Sequence, residues 1–270
     1  MPPRVLSGRP GPVPPRAPCR PAPPSRPAPL QELALSQHPP PCIDLDAGSA
    51  PLFAMPPETP APDRPSTVPI MDPTARSAGA PAPWLLIIDP QRIFADPGSD
   101  WASPFWEGAW ARIRELAAQV GPERTVVSRW LPTADRATSW GDYFTVWPFA
   151  DVPATDPLYD LVDGAAELTA HPTLDEPTFG KWGPQLVDRL GTAATRAPLL
   201  VTGVSTDCCV ITTVLAAADA GARLTVVTDA CAASDEASGA AALHTMGLFG
   251  PQVTLAGTAE VLARAAGPAR

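Results

Sequence analysis

Short apolar runs alternate with longer segments of helical pattern in the second part of the chain. Residues 84–88 are apolar without interruption, which is typical of a strand buried on both faces, and 106–120 has the apolar spacing of one helix face. Further strands are predicted at 125–127, 199–204, 224–227 and 253–255, and an alanine-rich helix at 214–220. Strand and helix alternate, so we expect a mainly parallel sheet covered by helices on both faces.

The first 80 residues differ from the rest in composition. They hold 23 of the chain's 39 prolines, which leaves few backbone donors for regular structure. The sequence therefore predicts a disordered tail, rich in proline, alanine and arginine, over 1–80. A single folded domain over 81–270 is expected to follow, long enough to bury a sizeable core.

Charge and cysteine usage restrict the partners of that domain. Residues 81–270 carry 12 basic and 22 acidic side chains, a net charge of −10, which argues against nucleic acid or an anionic membrane as a partner. The five cysteines are odd in number and form no CxxC pair, and no apolar segment of membrane-spanning length occurs. We therefore expect a reduced, cytoplasmic protein with no structural zinc.

A pair of adjacent cysteines, Cys208 and Cys209, lies where a predicted strand turns into a predicted helix. The unpaired amides and the dipole at a helix start stabilise a thiolate, so a cysteine there is expected to have a lowered pKa and to act as a nucleophile. The alternative is a small apolar side chain used for packing.

Two more side chains could complete a catalytic group. Asp89 directly follows the first strand, at the sheet edge where the cysteines should emerge, and could exchange a proton with a thiol or simply cap a turn. Lys181 is the only lysine beside 18 arginines, which suggests a need for a compact ammonium rather than a surface cation.

The segments 87–91 (IIDPQ) and 203–210 (GVSTDCCV), with the single lysine between them, resemble the isochorismatase-like cysteine hydrolases. This superfamily includes nicotinamidases and N-carbamoylsarcosine amidases, and the resemblance covers nearly all of 84–262. It implies a three-layer, Rossmann-like α/β/α fold with a six-stranded, mostly parallel sheet. It also implies a homo-oligomer, a dimer or a tetramer.

The resemblance assigns roles to individual residues. The family's nucleophile is the cysteine two places after the aspartate of the motif, which selects Cys209 and leaves Cys208 to pack. The implied catalytic triad is Cys209, Asp89 and Lys181. A cis peptide is implied between Val204 and Ser205, with the amides of Ser205 and Cys209 as the oxyanion hole.

The chain departs from the family pattern at two places. Nicotinamidases hold a metal through an aspartate and histidines soon after the second strand, whereas residues 128–132 (SRWLP) contain neither, so no metal or other cofactor and no nicotinamidase activity are expected. Alignment of the aromatic residues around 179–182 places Glu176 where the family has its lysine, so Lys181 comes five residues late.

The resemblance and the thiol together indicate a hydrolase that cleaves a C–N bond, amide or carbamoyl, of a small molecule through a thioester. The alternative is a relative with impaired catalysis that binds a small molecule in the same cleft. The displaced lysine and the missing metal ligands motivate that alternative.

Tryptophans follow the first two strands and could wall an apolar substrate pocket, or belong to the core or to a subunit interface. The candidates are Trp101, Trp106, Trp130, Trp140 and Trp147. We take Trp130, Arg129 and Trp182 as the predicted pocket residues. Arg129 could receive a substrate carboxylate or pair with Asp135 or Asp142.

Overall fold

The computed structural model describes residues 81–266, so the predicted tail over 1–80 lies outside the described residues. Six strands form one sheet in the order β3-β2-β1-β4-β5-β6, and every neighbouring pair is parallel. The strands are β1 (Trp84–Ile88), β2 (Thr125–Trp130), β3 (Leu174–Glu176), β4 (Pro198–Val204), β5 (Arg223–Ala232) and β6 (Val253–Ala256). This confirms the predicted sheet.

Helices cover both faces of the sheet. They are α1 (Arg92–Ala95), α2 (Trp106–Val120), α3 (Ser139–Val146), α4 (Pro184–Leu190), α5 (Ala193–Arg196), α6 (Ile211–Asp219), α7 (Glu236–Gly247) and α8 (Thr258–Ala266). Helices α2 and α8 pack on one face, while α4 to α7 contribute to the apolar core on the other. Strand β1 supplies Leu85 and Ile87 to the first core and Leu86 and Ile88 to the second. The three-layer α/β/α architecture is therefore confirmed.

The largest differences between the sequence prediction and the structure concern β3, β5 and α6. Strand β3 was not predicted, because it is a three-residue edge strand with one apolar side chain. Strand β5 was predicted at 224–227 and continues as far as Ala232. Helix α6 begins before 214 and is preceded by a π-helical turn over Thr206–Val210, so the cysteines lie in that turn.

Gly203 allows the carboxyl ends of β1 and β4 to come together. It pairs with Ile88 across the sheet and has φ of 115°, a backbone conformation that favours glycine. A Cβ there would lie 2.1 Å from the Ile88 carbonyl oxygen. The close approach brings Asp89, just after β1, beside the turn that carries Cys209.

Candidate active site

Asp89 lies at the carboxyl end of β1 and is completely buried. Its backbone is left-handed, with φ of 50°, a conformation that aspartate tolerates better than most residues. The Ser128 hydroxyl on β2 donates to Asp89 Oδ1 at 2.7 Å, and the Asp89 amide donates to Ser128 Oγ at 3.2 Å. Neighbouring strand ends therefore fix the direction of this carboxylate.

Lys181 lies between β3 and α4 and is also completely buried. Its Nζ is 3.1 Å from Asp89 Oδ2 and donates to the Thr178 carbonyl oxygen at 2.9 Å. Its backbone amide donates to Thr213 Oγ1 on α6 at 2.9 Å, which anchors the loop against the cysteine-bearing segment. The five-residue displacement in the sequence therefore does not separate this lysine from Asp89.

The contact between Lys181 and Asp89 is an ion pair rather than a well-directed hydrogen bond. Oδ2 accepts no hydrogen bond of good geometry from the described residues, while the ammonium directs one at Thr178. Oδ2 therefore keeps acceptor capacity for another proton.

Cys209 lies in the π-helical turn before α6 and is almost fully buried, whereas Cys208 is half-buried. The Cys209 carbonyl oxygen accepts from Thr213 Oγ1 at 2.7 Å, and the Cys209 thiol lies near enough to Asp89 and Lys181 for both charges to act on its pKa. The structure thus brings Cys209, Asp89 and Lys181 together at one edge of the sheet.

Burial dominates the electrostatics of this group. It raises the pKa of Asp89, and the Lys181 charge, the Ser128 hydrogen bond and the polar contacts of Lys181 and Cys209 with the carboxyl group oppose that rise. The hydrogen bond with Cys208, burial and the Asp89 charge raise the pKa of the Cys209 thiol, with Lys181 opposing. The lowered pKa expected from a helix start is therefore wrong for Cys209, because desolvation and a neighbouring carboxylate outweigh the helix terminus.

The turn at β4 also contains the predicted oxyanion residues. The peptide bond between Val204 and Ser205 is cis. The Ser205 carbonyl oxygen accepts from the amides of Cys208 and Val210, each at 3.0 Å. Cys209, whose amide lies between these two donors, faces the site from the same turn. Asp207 accepts hydrogen bonds from the amide and hydroxyl of Ser234, which ties the turn to the end of β5.

The structure places the three predicted pocket residues, Trp130, Arg129 and Trp182, in different surroundings. Trp130 is buried in the aromatic core, with its backbone held by the Gln91 side chain. Arg129 makes two hydrogen bonds to Asp175, at 2.8 and 2.6 Å, and not to Asp135 or Asp142. Trp182 is half-buried and packs against the core below α4 and α6.

The pocket beside the site is instead lined by α3 and by Phe179. It has a volume of about 360 Å³ and includes Trp140 and Trp147, which the sequence did indicate, together with Tyr143. Trp106 stacks on Trp110 in the core. The tryptophans that follow the second strand gave a signal for this wall, whereas the position of Phe179 depends on the fold of the loop before Lys181.

A larger pocket, of about 540 Å³, lies beside Trp84 and Arg223, at the amino ends of their strands and on the edge of the sheet opposite Asp89. Among residues 81–266, no three His, Cys, Asp or Glu side chains come together as metal ligands. No helix in this described part of the chain is long and apolar enough to cross a membrane.

Comparison with known proteins agrees with this geometry. A family model described as an isochorismatase domain matches residues 83–257. A cysteine hydrolase from Pseudomonas syringae pv. phaseolicola 1448A is similar in structure, with a TM-score of 0.56, 20% identity, and coverage of 68% of this chain and 92% of that chain. None of the curated proteins matches.

Two other similar solved structures are of a protein in complex with a ligand and of an amidase. PnC1 from L. infantum, in complex with nicotinate, has a TM-score of 0.54 and 19% identity over 67% of this chain and 95% of that chain. N-carbamoylsarcosine amidase from Thermoplasma acidophilum has a TM-score of 0.51 and 18% identity over 66% of this chain and 97% of that chain. At these identities the likeness shows the fold.

Proposed function

The chain belongs to the isochorismatase family of hydrolases, and we propose that it cleaves a C–N bond, amide or carbamoyl, of a small molecule. Cys209 is the nucleophile, Asp89 the general base and acid, and Lys181 the supporting cation. The observation that carries the proposal is the buried ion pair between Lys181 Nζ and Asp89 Oδ2, at 3.1 Å, beside the Cys209 thiol.

Charge balance explains why these three groups belong together. One buried ammonium compensates one negative charge, so Asp89 and Cys209 share a single proton between them. We assign this proton to the thiol in the resting enzyme, because the hydrogen bond with Cys208, burial and the Asp89 charge raise the pKa of the thiol, while the Lys181 ammonium stabilises the Asp89 carboxylate. Transfer of the thiol proton to Asp89 moves the charge without adding a second one.

The acylation step follows from this proton transfer. Asp89 accepts the Cys209 proton, and the thiolate attacks the carbonyl carbon while the amides of Ser205 and Cys209 hold the oxyanion. When the tetrahedral intermediate collapses, the C–N bond breaks and Asp89 delivers the proton to the departing nitrogen. Ammonia or an amine leaves, and the acyl group remains on sulfur as a thioester.

Deacylation restores the site with one water molecule. Asp89 takes a proton from water, and the resulting hydroxide attacks the thioester carbon. The C–S bond breaks, the acid is released and the Cys209 sulfur recovers its proton from Asp89. The net reaction consumes one water and yields one acid and one amine or ammonia.

Release of ammonia from a substrate panel tests this reaction. We expect the purified protein to release ammonia from members of a panel of primary amides and N-carbamoyl compounds, while Cys209→Ala releases none above the rate without enzyme. Ammonia is measured with a coupled glutamate dehydrogenase assay. The alternative, a protein that only binds small molecules, predicts binding by panel members with no release from the wild type.

A further inference from the structure

The pocket beside the catalytic group has an aromatic wall. Trp140 packs on Phe179 with ring centroids 4.9 Å apart and on Tyr143 at 5.3 Å, and Tyr143 meets Phe179 at 5.6 Å. Trp147 extends the lining at the end of α3. Behind them, Phe144 and Trp130 form a buried aromatic layer. The wall is therefore preformed by mutual packing of rings.

This pocket adjoins the reacting atoms. Phe179 follows Thr178, whose carbonyl oxygen accepts the hydrogen bond from Lys181 Nζ. Burial raises the pKa of the Tyr143 hydroxyl above its usual range, and the nearby Cys208 and Cys209 add to that rise. One loop therefore carries both Phe179 of the wall and Lys181 of the catalytic group.

The charges around the pocket disfavour an anion. Asp142 is the one charged residue in the lining. Arg136 lies over the Phe144 ring at 4.0 Å but is paired with Asp151 and donates to the Thr133 carbonyl oxygen. Lys181 is compensated by Asp89. A substrate carboxylate in this pocket would face Asp142 without a cation to pair with.

We propose that this pocket selects the acyl part of the substrate, an uncharged aromatic group larger than a single ring. Its volume of about 360 Å³ lies within the range of roughly 300–1,000 Å³ typical of pockets for drug-sized ligands. A fused bicyclic group contacts Trp140, Tyr143 and Phe179 together. That the bound group is the acyl part of a hydrolysed substrate rests on the proposed function, whereas the selectivity of the pocket in binding does not.

Equilibrium binding to the Cys209→Ala variant measures the selectivity of the pocket separately from catalysis. The probes are 2-naphthamide, benzamide and 6-carbamoyl-2-naphthoate, followed by naphthyl and tryptophan fluorescence and, for benzamide, by competition. We expect 2-naphthamide to bind at least about tenfold more tightly than benzamide, because a second ring buries more apolar surface. We expect the same margin over the carboxylate, because its charge loses hydration and faces Asp142. Equal affinity for benzamide or for the carboxylate would overturn the proposal.

Variants locate the selectivity in this wall. Trp140→Ala should weaken 2-naphthamide binding about tenfold or more through lost ring contact. Asp142 is exposed, so Asp142→Asn should leave the packing of the aromatic wall intact. This variant should reduce the difference in affinity between 2-naphthamide and 6-carbamoyl-2-naphthoate. Matched controls are Phe249→Ala and Asp163→Asn, exposed residues outside the pocket, which should leave all three affinities unchanged.

The results also separate failure of the pocket from failure of the reaction. Selective binding of 2-naphthamide with no hydrolysis by the wild type contradicts the proposed function and supports the pocket. Hydrolysis of small amides with no preference for the bicyclic probe contradicts the pocket alone.

Discussion

Cys209→Ala is expected to lower kcat/KM by about 1,000-fold or more, because loss of the nucleophile removes the covalent route altogether. Cys208→Ala, the matched change at the neighbouring thiol, is expected to keep a tenth or more of the activity. Cys209 is almost fully buried, with the charges of Asp89 and Lys181 acting on its thiol, whereas Cys208 is half-buried. Steady-state kinetics on any amide found in the panel measure both variants.

The pair of variants leaves a clear contradicting result. Activity that survives in Cys209→Ala and disappears in Cys208→Ala would show that Cys208, and not Cys209, is the nucleophile. Circular dichroism and thermal unfolding of both variants check that each still folds. Cys209→Ser provides a second variant, in which an oxygen nucleophile replaces the sulfur in a side chain of similar size.

Lys181→Met is expected to reduce both activity and stability. Without the ammonium, Asp89 is a buried carboxylate with no compensating charge, and loss of one partner of a buried ion pair costs about 3–5 kcal/mol in free energy of unfolding. Because the Lys181 charge holds the pKa of Asp89 down against burial, its removal raises that pKa further. A larger share of Asp89 is then protonated at any given pH, and a protonated Asp89 cannot accept the thiol proton.

The pH dependence of this variant has a definite sign. The folded-state pKa of Asp89 is raised above its unfolded value, so its protonated form favours the folded state. The stability deficit of Lys181→Met should therefore be smallest in acid and should grow as the pH rises, and the acidic limb of the activity profile should move to higher pH. Urea unfolding and kcat/KM profiles across pH measure the two effects.

A double variant separates charge compensation from packing. Asp89→Asn with Lys181→Met removes both charges, so it should recover part of the lost free energy of unfolding and none of the activity. A Lys181→Met variant with an unchanged pH profile would contradict the assigned role of this lysine.

The elements that could be predicted from the sequence are those with a clear apolar pattern. Helix α2 runs from Trp106 to Val120, as its apolar spacing indicated, and β1 spans the uninterrupted run over Trp84–Ile88. Strand β3 lacks such a pattern. Because Arg129 faces Asp175 across the β2–β3 pair, missing that strand also meant missing the partner of Arg129.

The site could be predicted only in part for a related reason. Asp89 and Cys209 follow strand ends, and the topology of a parallel sheet brings such positions together. The position of Lys181 depends instead on a loop anchored by Thr213, which lies 32 residues further along the chain. The direction of the Cys209 pKa depends on burial and on the distance to Asp89, and neither follows from a helix start.

Detection of a thioester on Cys209 tests most directly whether this thiol is the nucleophile. The wild-type protein is mixed with the p-nitrophenyl ester of the acid produced from its best amide, since fast acylation of an activated ester lets the acyl-enzyme accumulate. After an acid quench, tandem mass spectrometry locates the added mass. We predict one acyl group on Cys209 and none in Cys209→Ala; an adduct on Cys208 or on another residue would contradict the account.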